Sequence, residues 1–263
     1  MGGTLRNCVL LGNVADCGGG AFQSVLSNCL LSENMATGYG GGGAFQSVLS
    51  NCLLSENIAT AYGGGAGVST LNNCTVVANL GYEGGGVYYS RLTNCIVFGN
   101  GSPEPLGPAA GSNHWFSILC HCCTTPLPTN GVGNITHDPA FVGAEYGNYH
   151  LRPGSPCIDT GADVSAIIAN DLDGNPRPLD GNRDGVAAFD MGAYEFNGLS
   201  FTSIIAVGNK VRLSWFDTLP GMKVQRAETL TNPSWTEVPF SEGQRSIELP
   251  IGGSNEFFRL IKP

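Results

Sequence analysis

The chain carries a letter-for-letter internal duplication. The seventeen residues GGGAFQSVLSNCLLSEN occupy positions 18–34 and recur unchanged at 41–57, offset by 23 residues. Repetition with a period of roughly 20 to 50 residues is typical of solenoids, in which each unit stacks on the next and buries a face that it cannot bury alone. The duplication therefore predicts a stack of similar units in this part of the chain.

Three weaker marks extend the repeat across residues 1–100. An Asn-Cys pair recurs in steps of 21 to 23 residues, with its cysteines at Cys8, Cys29, Cys52, Cys74 and Cys95. A second asparagine follows each of these cysteines by five residues, at Asn13, Asn34, Asn57, Asn79 and Asn100. Glycine runs recur at 18–20, 40–43, 63–65 and 84–86. The unit is therefore close to 22 residues long throughout, and this period fails beyond Asn100, where residues 101–111 are expected to form a loop or a bulged coil.

The apolar runs within each unit are too short to form a helix. These runs, such as residues 22–26 and 29–31, are three to five residues long and end in polar or glycine corners. Runs of this length are strands, and a coil of about 22 residues with two or three short strands is the unit of a parallel β-helix. We therefore predict an all-β fold: a right-handed parallel β-helix followed by a small antiparallel β-sandwich.

Stacking would place the recurring cysteines and asparagines above one another as two ladders. Small cysteines would fill the interior, and asparagine amides, which both donate and accept, would hydrogen-bond along the stack at a corner. A metal site or a disulfide framework fits less well, because those motifs do not repeat with a coil period. For Cys120, Cys122 and Cys123 we expect a continued ladder or a local disulfide rather than zinc, and the oxidation state of these three, of Cys17 and of Cys157 stays open.

The chain is poor in charge. Asp, Glu, Lys and Arg make up 13% of the residues, and the formal net charge is -9. This excess of negative charge argues against a general attraction to nucleic acid or anionic lipid, and no apolar run has the roughly 20 residues of a membrane-spanning helix. The first hundred residues contain six charged side chains: Arg6, Asp16, Glu33, Glu56, Glu83 and Arg91. Such coils offer few acids, bases or metal ligands, so we assign no catalytic residue.

Aromatic residues recur in the coils and could line a flat face on which sugar rings stack, although packing at corners or in the interior would also explain them. Tyr88 and Tyr89 lie beside Arg91, which is the one basic residue of the regular coils after Arg6. We therefore take Tyr88, Tyr89 and Arg91 as the candidate ligand-binding residues.

An acid-rich segment follows the coils. Residues 180–185, DGNRDG, match the first half of a calcium loop, with oxygen ligands at alternate positions and glycine at the sixth, but Met191 stands where the twelfth-position glutamate belongs. The candidate ligands of a structural calcium ion are Asp171, Asp173, Asp180, Asn182, Asp184 and Asp190. The alternative is a set of Asx-turns and ion pairs with Arg177 and Arg183.

Four ordered motifs fall within residues 113–196: NITHDPAFV at 134–142, YHLRPGSPCIDTG at 149–161, DLDGNPR at 171–177 and DMGAYE at 190–195. They resemble the tail of bacterial right-handed β-helix proteins of the choice-of-anchor Q type, which have a pectin-lyase-like fold. The resemblance implies a secreted or cell-surface protein. It does not imply lyase activity, because one fold hosts many functions and these proteins have no established reaction.

The last part of the chain has a different pattern. Apolar and polar residues alternate at 211–215 and 222–226, and further strand candidates lie at 235–238, 246–249 and 257–261, which predicts a small β-sandwich. The segments VQRA, LTNPSW and FFRL resemble the fibronectin-type-III-like modules at the C-termini of large secreted bacterial proteins. We therefore divide the chain into a β-helix at 1–196, with regular coils to residue 100 and irregular coils and the family tail at 101–196, and a sandwich module at 197–263.

These observations predict a non-catalytic extracellular or cell-surface scaffold for glycan or surface recognition or adhesion. The alternative is a pectate-lyase-like lyase or a glycoside hydrolase acting on acidic polysaccharide. The expected partners are a polysaccharide or a cell-surface glycan, or a second copy that pairs with an open end of the β-helix; no nucleic acid and no membrane insertion are expected. Because residues 2–8 enter the repeat in mid-coil, we also expect the chain to be the C-terminal part of a longer secreted protein or the product of a shortened reading frame.

Overall fold

The computed structural model describes residues 2–102, 112–198, 201–215, 222–229, 231, 233–241, 244–252 and 256–261. Most of the expected loop at 101–111 and part of the motif at 230–235 lie outside these residues. The chain forms two compact units, Met1–Glu195 and Phe196–Pro263. No helix in the described ranges is long and apolar enough to cross a membrane.

The first unit is a parallel β-helix followed by a tail. Its elements are β1 (Thr4–Arg6), β2 (Val9–Leu11), β3 (Val14–Cys17), β4 (Ala21–Phe22), β5 (Val25–Ser27), β6 (Leu30–Ser32), β7 (Met35–Gly40), β8 (Ala44–Phe45), β9 (Val48–Ser50), β10 (Leu53–Ser55), β11 (Ile58–Tyr62), β12 (Ala66–Gly67), β13 (Thr70–Asn72), β14 (Thr75–Val77), β15 (Leu80–Glu83), β16 (Val87–Tyr88), β17 (Arg91–Thr93), β18 (Ile96–Phe98), β19 (His114–Trp115), β20 (Ile118–Cys120), β21 (Cys123–Thr124), β22 (Phe141–Gly143), a short 3-10 helix (Ala144–Tyr146) and β23 (Asn148–Leu151).

The strands of the coils form four parallel sheets. Sheet I has the order β1-β5-β9-β13-β17-β20, sheet II β2-β6-β10-β14-β18-β21, sheet III β15-β11-β7-β3 and sheet IV β19-β16-β12-β8-β4. Residues paired between neighbouring coils of sheet I, such as Val25 and Val48, are 21 to 23 positions apart up to β17. The described coils thus have four strands, not the two or three predicted.

The additional strand arises because residues 22–26 do not form one run. A corner at Gln23 and Ser24 separates β4 from β5, since Gln23 has a φ of 50° and the Ser24 hydroxyl donates to the carbonyl of Phe22. This corner is what divides the predicted run into two strands.

Three of the four corners in a coil share one design. In the second coil Gln23, Asn28 and Glu33 have φ values of 50°, 53° and 56°, in the left-handed region that most side chains avoid. Each is followed by a residue whose side chain bonds along the stack. These followers form three ladders: Ser24, Ser47, Ser69, Ser90 and Ser117; Cys8, Cys29, Cys52, Cys74, Cys95 and Cys122; and Asn13, Asn34, Asn57, Asn79, Asn100 and Asn113.

The asparagine ladder is the most densely bonded. The backbone N–H of Asn34 donates to Oδ1 of Asn57 over 3.0 Å, and its Nδ2 donates to the same oxygen over 2.9 Å. Nδ2 of Asn57 donates in turn to Oδ1 of Asn79 and to the carbonyl of Leu31. Each buried amide therefore satisfies a neighbouring backbone group that the turn would leave without a partner.

The fourth corner is made by glycine because the coils approach closely there. A Cβ on Gly42 would lie 2.4 Å from the carbonyl oxygen of Gly64 and 2.5 Å from that of Ile58. Any other side chain would push two coils apart at this point.

The interior is a set of apolar columns, each with one residue from each coil. They include Leu26, Leu49, Leu71, Leu92 and Leu119 behind sheet I, and Leu31, Leu54, Val76 and Val97 behind sheet II. The buried cysteines pack in the same cluster. Residues equivalent in the repeat therefore meet in space, as the solenoid requires.

Beyond β21 a parallel bridge between Cys123 and Ile135 extends the stack once more, and the rest of the tail packs on the outer face of sheet II. Nδ2 of Asn73 donates to the carbonyl of Asp190 over 2.9 Å, and Asn94 exchanges two hydrogen bonds with the backbone of Ala162. Tyr149 packs in a cluster with Leu53 and Val77. The asparagines that open the Asn-Cys corners of the later coils thus also hold the tail.

The second unit consists of two antiparallel three-stranded sheets and fits a small β-sandwich. Its strands are β24 (Phe201–Val207), β25 (Lys210–Trp215), β26 (Lys223–Ala227), β27 (Thr236–Val238), β28 (Ser246–Pro250) and β29 (Phe257–Ile261), in the orders β24-β25-β28 and β27-β26-β29. Leu213, Trp215 and Val224 are buried in its core. Trp235 lies at its surface, where the guanidinium of Arg259 lies 4.1 Å from the ring centre.

Candidate functional site

Sheet IV carries a column of outward-facing residues. Its strands are two residues long, so their two side chains point to opposite faces, and in β4, β8, β12 and β16 the first one lies in the core. The outward positions are Phe22, Phe45, Gly67, Tyr88 and Trp115. We call the aromatic members of this column, together with Tyr62, Tyr89 and Phe116 beside them, the aromatic face.

In the first coils the rings of the aromatic face stack on one another. The ring centres of Phe22 and Phe45 are 6.2 Å apart with planes inclined by 11°, and those of Tyr62 and Tyr88 are 4.6 Å apart. A Cβ on Gly67 would lie 2.8 Å from Cδ2 of Phe45, so glycine leaves room for that ring. Each of these rings therefore has one face against its neighbour.

The last coils differ, because two aromatic residues occupy corner positions there. Tyr89 and Phe116 both have a φ of 48° and are 64% and 68% exposed. The ring of Phe116 meets those of Trp115 and Tyr88 edge-on, with ring centres 5.2 and 6.5 Å apart. This end of the aromatic face therefore offers ring surface to a ligand.

A pocket of about 530 Å³ opens at this end. Its walls come from residues 112–117 on one side and from 126–130 on the other. Asn113 holds the second wall through hydrogen bonds from Nδ2 to the carbonyl and hydroxyl of Thr125, and Nε2 of His114 lies 2.9 Å from the carbonyl of Pro126. The described residues that line this pocket, which we call the Trp115 pocket, include no Asp, Glu, Lys or Arg.

The three candidate binding residues lie around one corner. Tyr88 is on sheet IV and part of the aromatic face, and Tyr89 is the exposed residue at the corner before Ser90. Arg91 is exposed on β17, which belongs to sheet I. The structure thus brings Tyr88 and Tyr89 together with Phe116 and places Arg91 on the neighbouring sheet. Burial, and next the charge of Glu83, raise the pKa of Tyr88, so its phenol is a neutral hydrogen-bond donor at neutral pH.

The candidate calcium ligands are engaged in the loops of the tail. Asp171 accepts hydrogen bonds from Asn175 and from the backbone of Glu195. Asp180 accepts from the backbone N–H groups of Asp184 and Gly185 over 3.1 and 3.0 Å. Oδ1 of Asn182 accepts a hydrogen bond from the N–H of Asp184. Oδ1 of Asp190 accepts one from the N–H of Asp159. Within the described residues no three His, Cys, Asp or Glu side chains form a group that could hold a metal ion, and calcium binding stays a prediction.

Four charged residues lie buried beneath these loops. Nε of Arg177 is 3.4 Å from Oε2 of Glu195, and both side chains are inaccessible to solvent. Asp171 and Asp190 are buried nearby, and Arg177 also donates to the carbonyl of Gly192 over 3.0 Å. Burial raises the pKa of Glu195 to about 7, although the attraction of Arg177 lowers it. Arg177 therefore pairs with Glu195 rather than with one of the loop aspartates.

Sequence reasoning missed two features. The serine ladder was overlooked, although its members Ser24, Ser47, Ser69 and Ser90 each precede a ladder asparagine by ten residues. The second feature is a surface pair in which Nε2 of His150 lies 2.7 Å from Oδ2 of Asp173, with the ring of Tyr194 4.0 Å away. No local motif joins His150 to Asp173, because 23 residues separate them.

All ten cysteines are free thiols. Cys122 continues the cysteine ladder, since its sulfur accepts the backbone N–H of Cys95 over 3.3 Å. Hydrogen bonding to Cys52 and burial raise the pKa of Cys29, and burial raises that of Cys95. The thiols of Cys29 and Cys95 are therefore protonated and poor nucleophiles.

No protein-family model matches the chain, and no match was found among curated proteins or solved structures. The function must therefore be argued from the geometry of the site.

Proposed function

We propose that this chain is a non-catalytic β-helix scaffold that recognises glycans at the Trp115 end of the aromatic face. The observation that carries the proposal is the Trp115 pocket itself, which combines two aromatic rings with uncharged polar groups. Aromatic rings pack against the C–H faces of sugars, while hydroxyl and amide groups bond their hydroxyls. The volume of about 530 Å³ lies in the range of roughly 300 to 1,000 Å³ usual for small-molecule sites.

The composition of the pocket supports binding without catalysis. A lyase needs a base next to the acidic carbon, together with a cation that neutralises the sugar carboxylate, and a hydrolase needs two carboxyl groups. The described lining of the pocket has neither a carboxylate nor a basic Lys or Arg side chain. His114, its one imidazole, is tied to the carbonyl of Pro126.

We further propose an extracellular or cell-surface location, with the choice-of-anchor Q tail and the fibronectin-type-III-like module as its support. The four motifs of the tail and the short motifs of the second unit carry this part of the proposal. Free thiols are uncommon in oxidising compartments, but the ladder thiols from Cys29 to Cys122 are buried, which shields them from oxidants.

The test is a glycan array combined with a depolymerisation assay on the purified chain. We expect binding without cleavage, and we expect Trp115→Ala to lose that binding. Tyr146→Ala is the matched control, since Tyr146 is 87% exposed and lies in the tail. Binding that survives Trp115→Ala, or that falls equally in both variants, would refute the assignment of the site.

The competing function is a polysaccharide lyase or hydrolase, and the His150–Asp173 pair is the observation that favours it. A histidine beside a carboxylate is a common general base, but Nδ1 of His150 also faces Oδ1 of Asn148 over 2.7 Å, so the ring would have to leave one of its two contacts to accept a proton. If the depolymerisation assay detects cleavage and His150→Ala abolishes it while Trp115→Ala does not, the enzyme hypothesis replaces the scaffold.

A further inference from the structure

We infer that the Trp115 pocket selects neutral glycans and receives the terminal ring of an unbranched chain, whose next rings contact Tyr89. This inference rests on the proposed glycan recognition and specifies its ligand. It is carried by three observations: the charge of the pocket, the hydrogen bonding of His114 and the positions of the exposed rings.

The charge of the pocket excludes acidic sugars. A uronate, sialate or sulfate bound there would lose water without gaining a cation, because the described lining includes no Lys or Arg. An unpaired buried charge is costly, and the net charge of -9 adds a repulsion at longer range. Neutral sugars meet neither penalty.

The hydrogen bond of His114 suits a hydroxyl ligand. Because Nε2 faces the carbonyl of Pro126, which only accepts, Nε2 must carry the proton. In the neutral ring Nδ1 is then an acceptor, which can bind a sugar hydroxyl. Thr129 and Asn130 on the opposite wall supply groups that both donate and accept.

The positions of the rings set the direction of the ligand. β19 is the last strand of sheet IV, so a chain lying along the aromatic face ends at the Trp115 pocket. Phe116 and Tyr89 occupy equivalent corners on successive coils, and coils are about 4.8 Å apart. A ligand that fills the pocket and extends along the stack therefore passes Phe116 first and Tyr89 next.

The test is titration calorimetry of the whole chain with neutral xylo-, cello- and manno-oligosaccharides of increasing length, and with oligogalacturonates, oligoalginates and a proline-rich peptide. We expect the neutral series to bind, with affinity that rises with length. Trp115→Ala should weaken ligands of every length about tenfold, as expected for one lost aromatic contact. Tyr89→Ala should weaken only the longer ones, and Tyr146→Ala should change none.

A gain of function provides a second measurement. Asn130 is exposed at the rim of the pocket, so Asn130→Arg adds a cation without disturbing the coils. This variant should acquire affinity for oligogalacturonate, whereas Tyr146→Arg should not.

The outcomes separate this inference from the proposed function. Binding of the acidic series by the unaltered chain overturns the neutral specificity but leaves glycan recognition intact. Weakening of short and long ligands alike by Tyr89→Ala overturns the orientation. Binding of the peptide alone, or of none of these ligands, overturns both the inference and the proposed function.

Discussion

Replacing Asn57 with alanine tests whether the asparagine ladder stabilises the stack. The Asn57 amide is fully buried and takes part in four side-chain hydrogen bonds: two accepted from Asn34, one donated to Asn79 and one donated to the carbonyl of Leu31. At about 1 kcal/mol for each of the four bonds, we expect the free energy of unfolding to fall by at least about 4 kcal/mol, because the buried N–H of Asn34 is also left unsatisfied.

Asn13→Ala is the matched control in the first coil. Asn13 is exposed, and its side chain donates one hydrogen bond, to Oδ1 of Asn34, so the same substitution should cost about 1 kcal/mol. Asn57→Asp separates hydrogen bonding from size, because it keeps the shape but points a carboxylate oxygen at the carbonyl of Leu31. Urea unfolding followed by far-ultraviolet circular dichroism measures all three. Equal costs for Asn57→Ala and Asn13→Ala, or a harmless Asn57→Asp, would refute the reasoning.

Three further predictions follow from the described contacts. The pKa of Glu195 is about 7 in the folded chain against 4.5 as its ordinary value, so its contribution to stability is complete below about pH 4.5 and is lost as the pH rises through 7. Urea midpoints should therefore report a loss of about 3 kcal/mol across this window, and a profile unchanged by Glu195→Gln would contradict the assignment. Gly42→Ala should cost more than about 2 kcal/mol, because the new Cβ meets two carbonyl oxygens, whereas Gly3→Ala, which has no atom within 4 Å of its new Cβ, should be neutral in the same assay. If the loop at 180–185 binds calcium, the melting temperature should be higher in calcium than in chelator and should lose that difference in Asp184→Asn; equal melting temperatures would dismiss calcium there.

The repeat predicted the parts of the fold that recur at every coil. The cysteine and asparagine series identified the coil length, the parallel stack and the side chains that bond along it, because each of these residues contacts its equivalent one repeat away. The sequence left open whether Cys120, Cys122 or Cys123 continues the ladder, because the step from Cys95 to Cys122 is 27 residues instead of 21 to 23. The longer coil hides in the sequence that Cys95 and Cys122 occupy equivalent positions in the structure.

The Trp115 pocket could not be predicted in the same way. The pocket forms because residues 126–130 lie opposite residues 114–117. Asn113 and His114 fix this arrangement through hydrogen bonds with Thr125 and Pro126. These contacts occur once in the molecule, so no period reveals them. The buried ion pair between Arg177 and Glu195 likewise does not recur with the repeat, because it forms where the tail packs on sheet II.

The site lies where the repeat loses its regularity, and the ladders explain why. Ladder residues are constrained, because their side chains bond to a neighbouring coil. Two other positions vary while the stack is kept: the left-handed position before each ladder serine changes from Gln23 to Tyr89 and Phe116, and the outward position of sheet IV changes from Phe22 through Gly67 to Trp115. In the duplicated coils the two identical phenylalanines stack on each other, whereas in the last coils Tyr89 and Phe116 add exposed rings at the corner. We therefore expect glycan specificity to change with residues of the last coils and to be insensitive to substitutions in the duplicated coils.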